Sequence, residues 1–178
     1  MRHAAEEFHL AVAAYRRMEA VQNGSFEDFD RDWREFLRRV ERIYGKAKAA
    51  CQSHRLWPKA NKYYNDLRQT DPLLLYIRQA RNAEEHTIAN IASDWDPKVR
   101  TWQDGDNFHA AWEPWDRPLL PVKSRGAIYD PPRRHLGHDI TYLLGNNVEE
   151  PIIVGDLALQ FYSAFINDLC AQFYPGLR

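Results

Sequence analysis

An unbroken apolar stripe over residues 26–51 dictates the architecture of this chain. At about 100° per residue, Phe29, Trp33, Phe36, Leu37, Val40, Ile43, Tyr44 and Ala47 line one side of a helix, and Arg31, Arg34, Arg38 and Arg42 line the other. A stripe this wide demands cover from other elements, so the segment reads as a long amphipathic helix in a bundle. Ser25 is a good N-cap for it, and Asp28, three residues on, suits the positive end of the helix dipole. Residues from about 3 to 22 form the helix before it: Phe8, Val12 and Tyr15 recur at helical spacing, Ala11, Ala14, Met18 and Val21 widen the face, and Asn23-Gly24 stops it.

A short third helix is expected over 54–68, with Trp57, Tyr63, Tyr64 and Leu67 as its apolar residues. Thr70-Asp71-Pro72 opens a fourth, with Asp71 as N-cap and Pro72 at the first helical position, where a missing N–H costs nothing. Its periodicity carries it to about Ala92. From Trp95 to Asn147 the composition turns to Pro, Gly, Asp and Trp, which is too long for a structureless loop in a compact domain. Short strands are expected near Leu119–Val122 and Gly126–Tyr129, and turns at Pro131-Pro132 and Gly145-Asn146-Asn147. A last helix, about Val154–Phe173, presents Leu157, Phe161, Phe165, Ile166, Leu169 and Phe173. The fold class is therefore all-α: one domain over 178 residues, a bundle of about five helices, with a small β-containing insertion at 95–147 before the last.

Composition narrows the function classes. Hydrophobic residues at 44% mark a globular chain, and a formal charge of −1 argues against chain-wide attraction to nucleic acid or membrane while leaving room for a local basic patch. Cys51 and Cys170 are too far apart in sequence for a metal knuckle and read as free thiols of a reducing compartment. No apolar run approaches the ~20 residues of a membrane span, and the acidic N-terminus lacks a signal peptide's apolar stretch, so a cytoplasmic protein without membrane contact is expected. No phosphate-cradling Gly loop, nucleophile elbow or zinc-protease motif is present, so no cofactor or metal is assigned.

The fourth helix holds the chemistry. On a helical wheel measured from Arg81, Glu85 lies at roughly 40°, Asn82 at about 100° and His86 at about 140°, all on one side. Leu73, Ile77, Ala80, Ile88 and Ile91 fall on another. A guanidinium matches phosphate oxygens, and an imidazole exchanges protons near neutrality. Asn82, four residues before His86, is in reach of the imidazole or of a ligand. Such a set is able to cleave a phosphodiester without metal, His86 moving protons and Arg81 stabilising phosphoryl charge. The same residues also make an ordinary charged surface, with Arg81 and Glu85 as a helix ion pair. Glu84 falls inside the apolar stripe, between Ile77 and Ile91. It needs a polar partner and reads as a buried anchor or as an orienting group for Arg81 or His86.

Arg81-Asn82, three residues and then His86, on a helix of an all-α bundle, resembles the signature of the HEPN superfamily (higher eukaryotes and prokaryotes nucleotide-binding domains). The resemblance covers the helical parts, residues 1–92 and 154–174. It implies a metal-independent endoribonuclease built as a homodimer, with two Arg/His pairs facing each other across a two-fold axis. Arg81 and His86 carry over as catalytic residues and Asn82 as their polar helper. Some toxin branches place a Tyr two residues after the His, where this chain has Ile88. Other members are non-catalytic binding modules, and a cognate inhibitor or other protein partner is a further implication.

Three groups outside the fourth helix complete the candidates. The Arg31–Arg34–Arg38–Arg42 stripe reads first as a solvated face paired with Glu27, Asp30 and Glu35, and second as a track for an RNA backbone. Arg133, Arg134 and His135 are candidates for RNA or ligand contact. His135, His138 and Asp139 form a loose metal-ligand pattern that would suit a metal-assisted hydrolase. Trp95, Trp102, Trp112 and Trp115 read as a covering for the bundle core rather than a base-stacking series.

Overall fold

The computed structural model describes residues 1–21, 24–83, 87–88, 99–104, 107–112, 119–140 and 151–175. Among them are five helices, α1 (Arg2–Ala20), α2 (Phe26–Cys51), α3 (Trp57–Thr70), α4 (Pro72–Asn82) and α5 (Pro151–Phe173). Six short strands lie between α4 and α5: β1 (Val99–Asp104), β2 (Asn107–Trp112), β3 (Val122–Ser124), β4 (Ala127–Tyr129), β5 (Arg134–His135) and β6 (His138–Asp139). The architecture is thus the expected all-α bundle with a small β insertion before its last helix.

The stripe of α2 organises the bundle. Trp33, Phe36, Val40, Ile43 and Ala47 are fully buried. Ser25 caps the helix by accepting from the Asp28 N–H at 3.2 Å. Helix α1 runs antiparallel to α2: Arg17 bonds Asp32, Arg39 bonds Glu7, and the Met1 sulfur lies 3.7 Å from the Cys51 thiol. The α1 face against the core is narrower than expected, being built on Ala4, Ala11, Ala14 and Met18, while Phe8, Val12 and Tyr15 are half-buried at its margin. Small side chains let the two axes come close.

Helix α5 packs beside α1 and α2, with Tyr44 stacked near Phe165 and Tyr64 of α3 edge-on to the same ring. Gly155 lies inside α5, where a Cβ would stand 3.1 Å from the Tyr15 ring, so this glycine marks a close approach of the two helices. By length and composition α5 is also apolar enough to cross a membrane, contrary to the expectation from the sequence; its Val154, Ala158, Phe161, Phe165 and Leu169 are buried in the bundle. A buried polar node ties three helices together: Arg68 of α3 bonds Glu41 of α2 at 2.5 Å and lies 3.8 Å over the Tyr44 ring. The fully enclosed Tyr162 of α5 belongs to the same node, and its hydroxyl pKa is pushed up to about 12, chiefly by burial.

Among the described residues the insertion forms three antiparallel hairpins, β1–β2, β3–β4 and β5–β6. The expected strands at Leu119–Val122 and Gly126–Tyr129 correspond to β3 and β4, with Leu119 instead in a single bridge to Ile88. The last two hairpins turn through residue pairs with positive φ, Arg125-Gly126 and Leu136-Gly137, as tight two-residue connections require. Trp102 and Trp112 stand on β1 and β2, while Trp95, Trp115 and the Gly145-Asn146-Asn147 turn lie outside the described residues.

Helix α4 departs most from expectation. Its start is as read: Asp71 accepts from the Leu74 N–H at 3.0 Å and Pro72 follows. Its end is at Asn82, not near Ala92, and Ala83 is extended at φ −70° and ψ 139°. The competing interaction is tertiary. The Thr87 hydroxyl accepts from the Trp33 indole N–H at 2.7 Å, its carbonyl accepts from the Leu120 N–H at 2.8 Å, and Ile88 bridges Leu119. Thr and Ile are β-branched and lose χ1 freedom in a helix, so the insertion draws them out of it.

Candidate functional site

Arg81 and Asn82 form the last residues of α4, where a cation complements the negative end of the helix dipole. Arg81 is exposed and its Nη1 donates to Asn82 Oδ1 at 2.8 Å, so the amide orients the guanidinium. Among the described residues no carboxylate pairs with Arg81. Glu84, Glu85 and His86 lie outside the described residues, as does Ile91. The helical wheel that relates them to Arg81 holds no further than Asn82, because α4 stops there.

Arg81 borders a groove of about 220 Å³ between the end of α4 and the middle of α2. Arg34, Leu37 and Arg38 come from α2, Ala80 and Arg81 from α4, and Ala83 and Thr87 close the side. Thr87 is buried and fixed by three groups, since the Tyr76 hydroxyl also reaches its carbonyl at 3.4 Å and the Leu120 carbonyl at 2.8 Å. The floor is apolar and the rim carries guanidiniums from two helices.

The α2 arginines are paired, as the solvated-face reading has it, though not with every acid expected. Arg34 bonds Asp30 at 2.8 Å, Arg38 bonds Glu35 at 2.8 Å, Arg31 bonds Asp28 at 2.7 Å, and Arg42 approaches Glu7 at 3.7 Å. Glu27 instead accepts from Ser25. The pairing is uneven. Glu35 divides its oxygens between Arg38 and Arg39, and Glu7 divides its own between Arg39 and Arg42. Three guanidiniums thus share two carboxylates, and of the three Arg38 lines the groove.

The second candidate group resolves differently. His135 is buried and its Nδ1 lies 3.0 Å from Asp71 Oδ1, while the Leu136 N–H donates to Asp71 Oδ2 at 2.5 Å. Asp71 is only 5% exposed, and its carboxylate serves as N-cap of α4 and anchor of the β5–β6 hairpin at once. Burial pushes its carboxyl pKa up, but the hydrogen bonds from His135, Leu74 and Leu136 together outweigh that and hold it below the ordinary value. The His135 ring is therefore committed to the interior. Arg133 and Arg134 are exposed against a groove of about 610 Å³ walled by Pro72, Pro121 and Pro131. His138 and Asp139 are exposed on β6, and among the described residues no group of three or more His, Cys, Asp or Glu is placed to hold a metal ion. The metal-hydrolase pattern of His135, His138 and Asp139 does not assemble.

Sequence reasoning misses two relations here. Arg34 and Arg38 are groove walls as well as surface cations, a double role hinted at only by their flanking of the buried Leu37. Asp71 is legible as a cap but not as the partner of a histidine 64 residues away. No protein-family model, curated protein or solved structure matches the chain.

Proposed function

We propose that the protein is a metal-independent endoribonuclease of the HEPN type, acting as a homodimer. The observation that carries the proposal is Arg81, exposed at the end of α4 on an arginine-rimmed groove whose edge is Thr87, the residue that follows His86 in the sequence. The all-α bundle is the setting such a motif requires. In the reaction, His86 takes the proton of a ribose 2′-hydroxyl or delivers one to the departing 5′-oxygen. The 2′-oxygen bonds to phosphorus as the bond from phosphorus to the 5′-oxygen breaks, and Arg81 stabilises the charge that gathers on the phosphoryl oxygens. Asn82 holds the guanidinium in place, and Glu84 and Glu85 are supporting groups.

Purified protein is expected to cut single-stranded RNA in excess chelator. His86→Ala and Arg81→Ala are each expected to reduce cleavage by at least about a hundredfold while leaving the circular dichroism spectrum unchanged. A His86→Ala protein that cuts as fast as the parent ends the proposal. One observation favours the second reading, a non-catalytic binding module: α4 stops at Asn82, so no continuous helix joins the two halves of the motif. That reading expects no cleavage by the parent protein under any condition.

A further inference from the structure

The rim of the groove holds more positive charge than the Arg81–His86 motif accounts for. Arg34 and Arg38 are four residues apart on α2 and so lie one turn apart on one face, opposite Arg81 of α4. Leu37, between them in sequence, and Ala80 form an apolar floor beneath. The carboxylates nearby neutralise this rim only in part, with Arg34 paired to Asp30 at 2.8 Å. Glu35, the partner of Arg38, is also bonded to Arg39 at 2.6 Å, and Arg81 meets only an amide oxygen among the described residues. At about 220 Å³ the space is smaller than the ~300–1,000 Å³ of pockets that enclose a whole ligand. It therefore suits one segment of a longer polyanion, a phosphate with the sugar beside it.

We propose that Arg34 and Arg38 of α2, with Arg81 opposite, form a phosphodiester-binding subsite that grips the backbone of single-stranded RNA. The proposal rests on the nuclease reading for the identity of the polymer, and adds to it a second wall supplied by α2. Guanidiniums from two helices approach one phosphate from two sides, a geometry suited to forked hydrogen bonds. Arg31 and Arg42 of the same stripe stand outside the groove and take no part.

The test is binding without turnover. A fluorescent single-stranded 2′-O-methyl oligoribonucleotide, which lacks the attacking hydroxyl, is titrated with protein in chelator over a range of salt. The Arg34→Ala/Arg38→Ala protein is expected to bind at least about tenfold more weakly. Its plot of log affinity against log salt should flatten by about 0.7 for each phosphate no longer neutralised. Arg38→Lys, which retains the charge, should recover the slope but not the full affinity. If the double variant is unstable, Arg38→Ala alone decides, since that side chain is 61% exposed and its removal spares the core. Unchanged affinity and slope overturn the proposal. The two readings fail separately: parental RNA cleavage that depends on His86 beside unchanged binding by the double variant removes the subsite and keeps the nuclease. Arginine-dependent binding without any cleavage keeps the subsite and removes the nuclease.

Discussion

Asp71 ties α4 to the β5–β6 hairpin, because three donors from those two elements converge on its carboxylate. Asp71→Ala removes a helix cap, at about 0.5–2 kcal/mol, and leaves the Leu136 N–H and the His135 ring without their acceptor, at about 1–3 kcal/mol for a buried donor. A total loss of about 2–4 kcal/mol is expected in urea unfolding. Asp71→Asn keeps the cap and loses less. The pH dependence follows from the depressed carboxyl pKa. The stabilisation is fully present above the ordinary value of 3.8 and is lost as pH falls through it towards the folded value. The stability gap between parent and Asp71→Asn should therefore be widest near neutrality and shrink below about pH 4; a gap that widens in acid contradicts this. The two helical glycines give a second residue-scale prediction. Gly45 is exposed in mid-α2 and a Cβ there meets nothing within 4 Å, so Gly45→Ala should stabilise by about 0.5–1 kcal/mol. Gly155→Ala brings the same propensity gain, but its methyl presses on Tyr15, and overpacking at about 1–3 kcal/mol exceeds it. Thermal unfolding of the pair should shift in opposite directions.

At the scale of elements, the legible parts are those in which local pattern and tertiary cover agree. The α2 stripe, the Ser25 cap, the Asp71-Pro72 start of α4 and the apolar run of α5 all read directly, because each is a local signal whose burial partner is simply the rest of the bundle. The end of α4 does not read, because Arg78 to Ile91 keeps helical spacing of apolar residues while Thr87 and Ile88 are used by the insertion. Period alone does not register a hydroxyl 54 residues from its indole. The site inherits this gap: Arg81 and Asn82 stand on α4 as the pattern requires, but the face they were to share with His86 depends on a helix that stops short. The Trp33–Thr87 bond is therefore the interaction that sets the junction. Thr87→Val keeps the shape and removes the acceptor, leaving a buried indole N–H unpaired. A loss of about 1–3 kcal/mol is expected, with Thr87→Ser losing much less. Equal losses for Val and Ser would assign the effect to packing instead.

For the whole molecule, what matters is whether one 21.0 kDa chain is the functional unit. The groove at Arg81 presents guanidiniums on one side of a chain whose net charge is only −1, so a polyanion meets a local field rather than a globally attractive protein. A two-fold dimer that apposes two such grooves doubles that field along one continuous strand path, and this is what the proposed nuclease requires. The prediction is an inter-subunit one. Arg81→Ala and His86→Ala proteins, each inactive alone, are mixed, unfolded and refolded together. If Arg81 of one subunit works with His86 of the other, mixed dimers contain one site with both groups intact, and RNA cleavage in chelator returns in the mixture. Light scattering should find about twice the chain mass at the assay concentration, and dilution to monomer should abolish the recovered activity. A mixture that stays silent while the parental dimer cuts would place both groups of each site on a single chain, and α2 with its arginines would then be the only second wall the substrate meets.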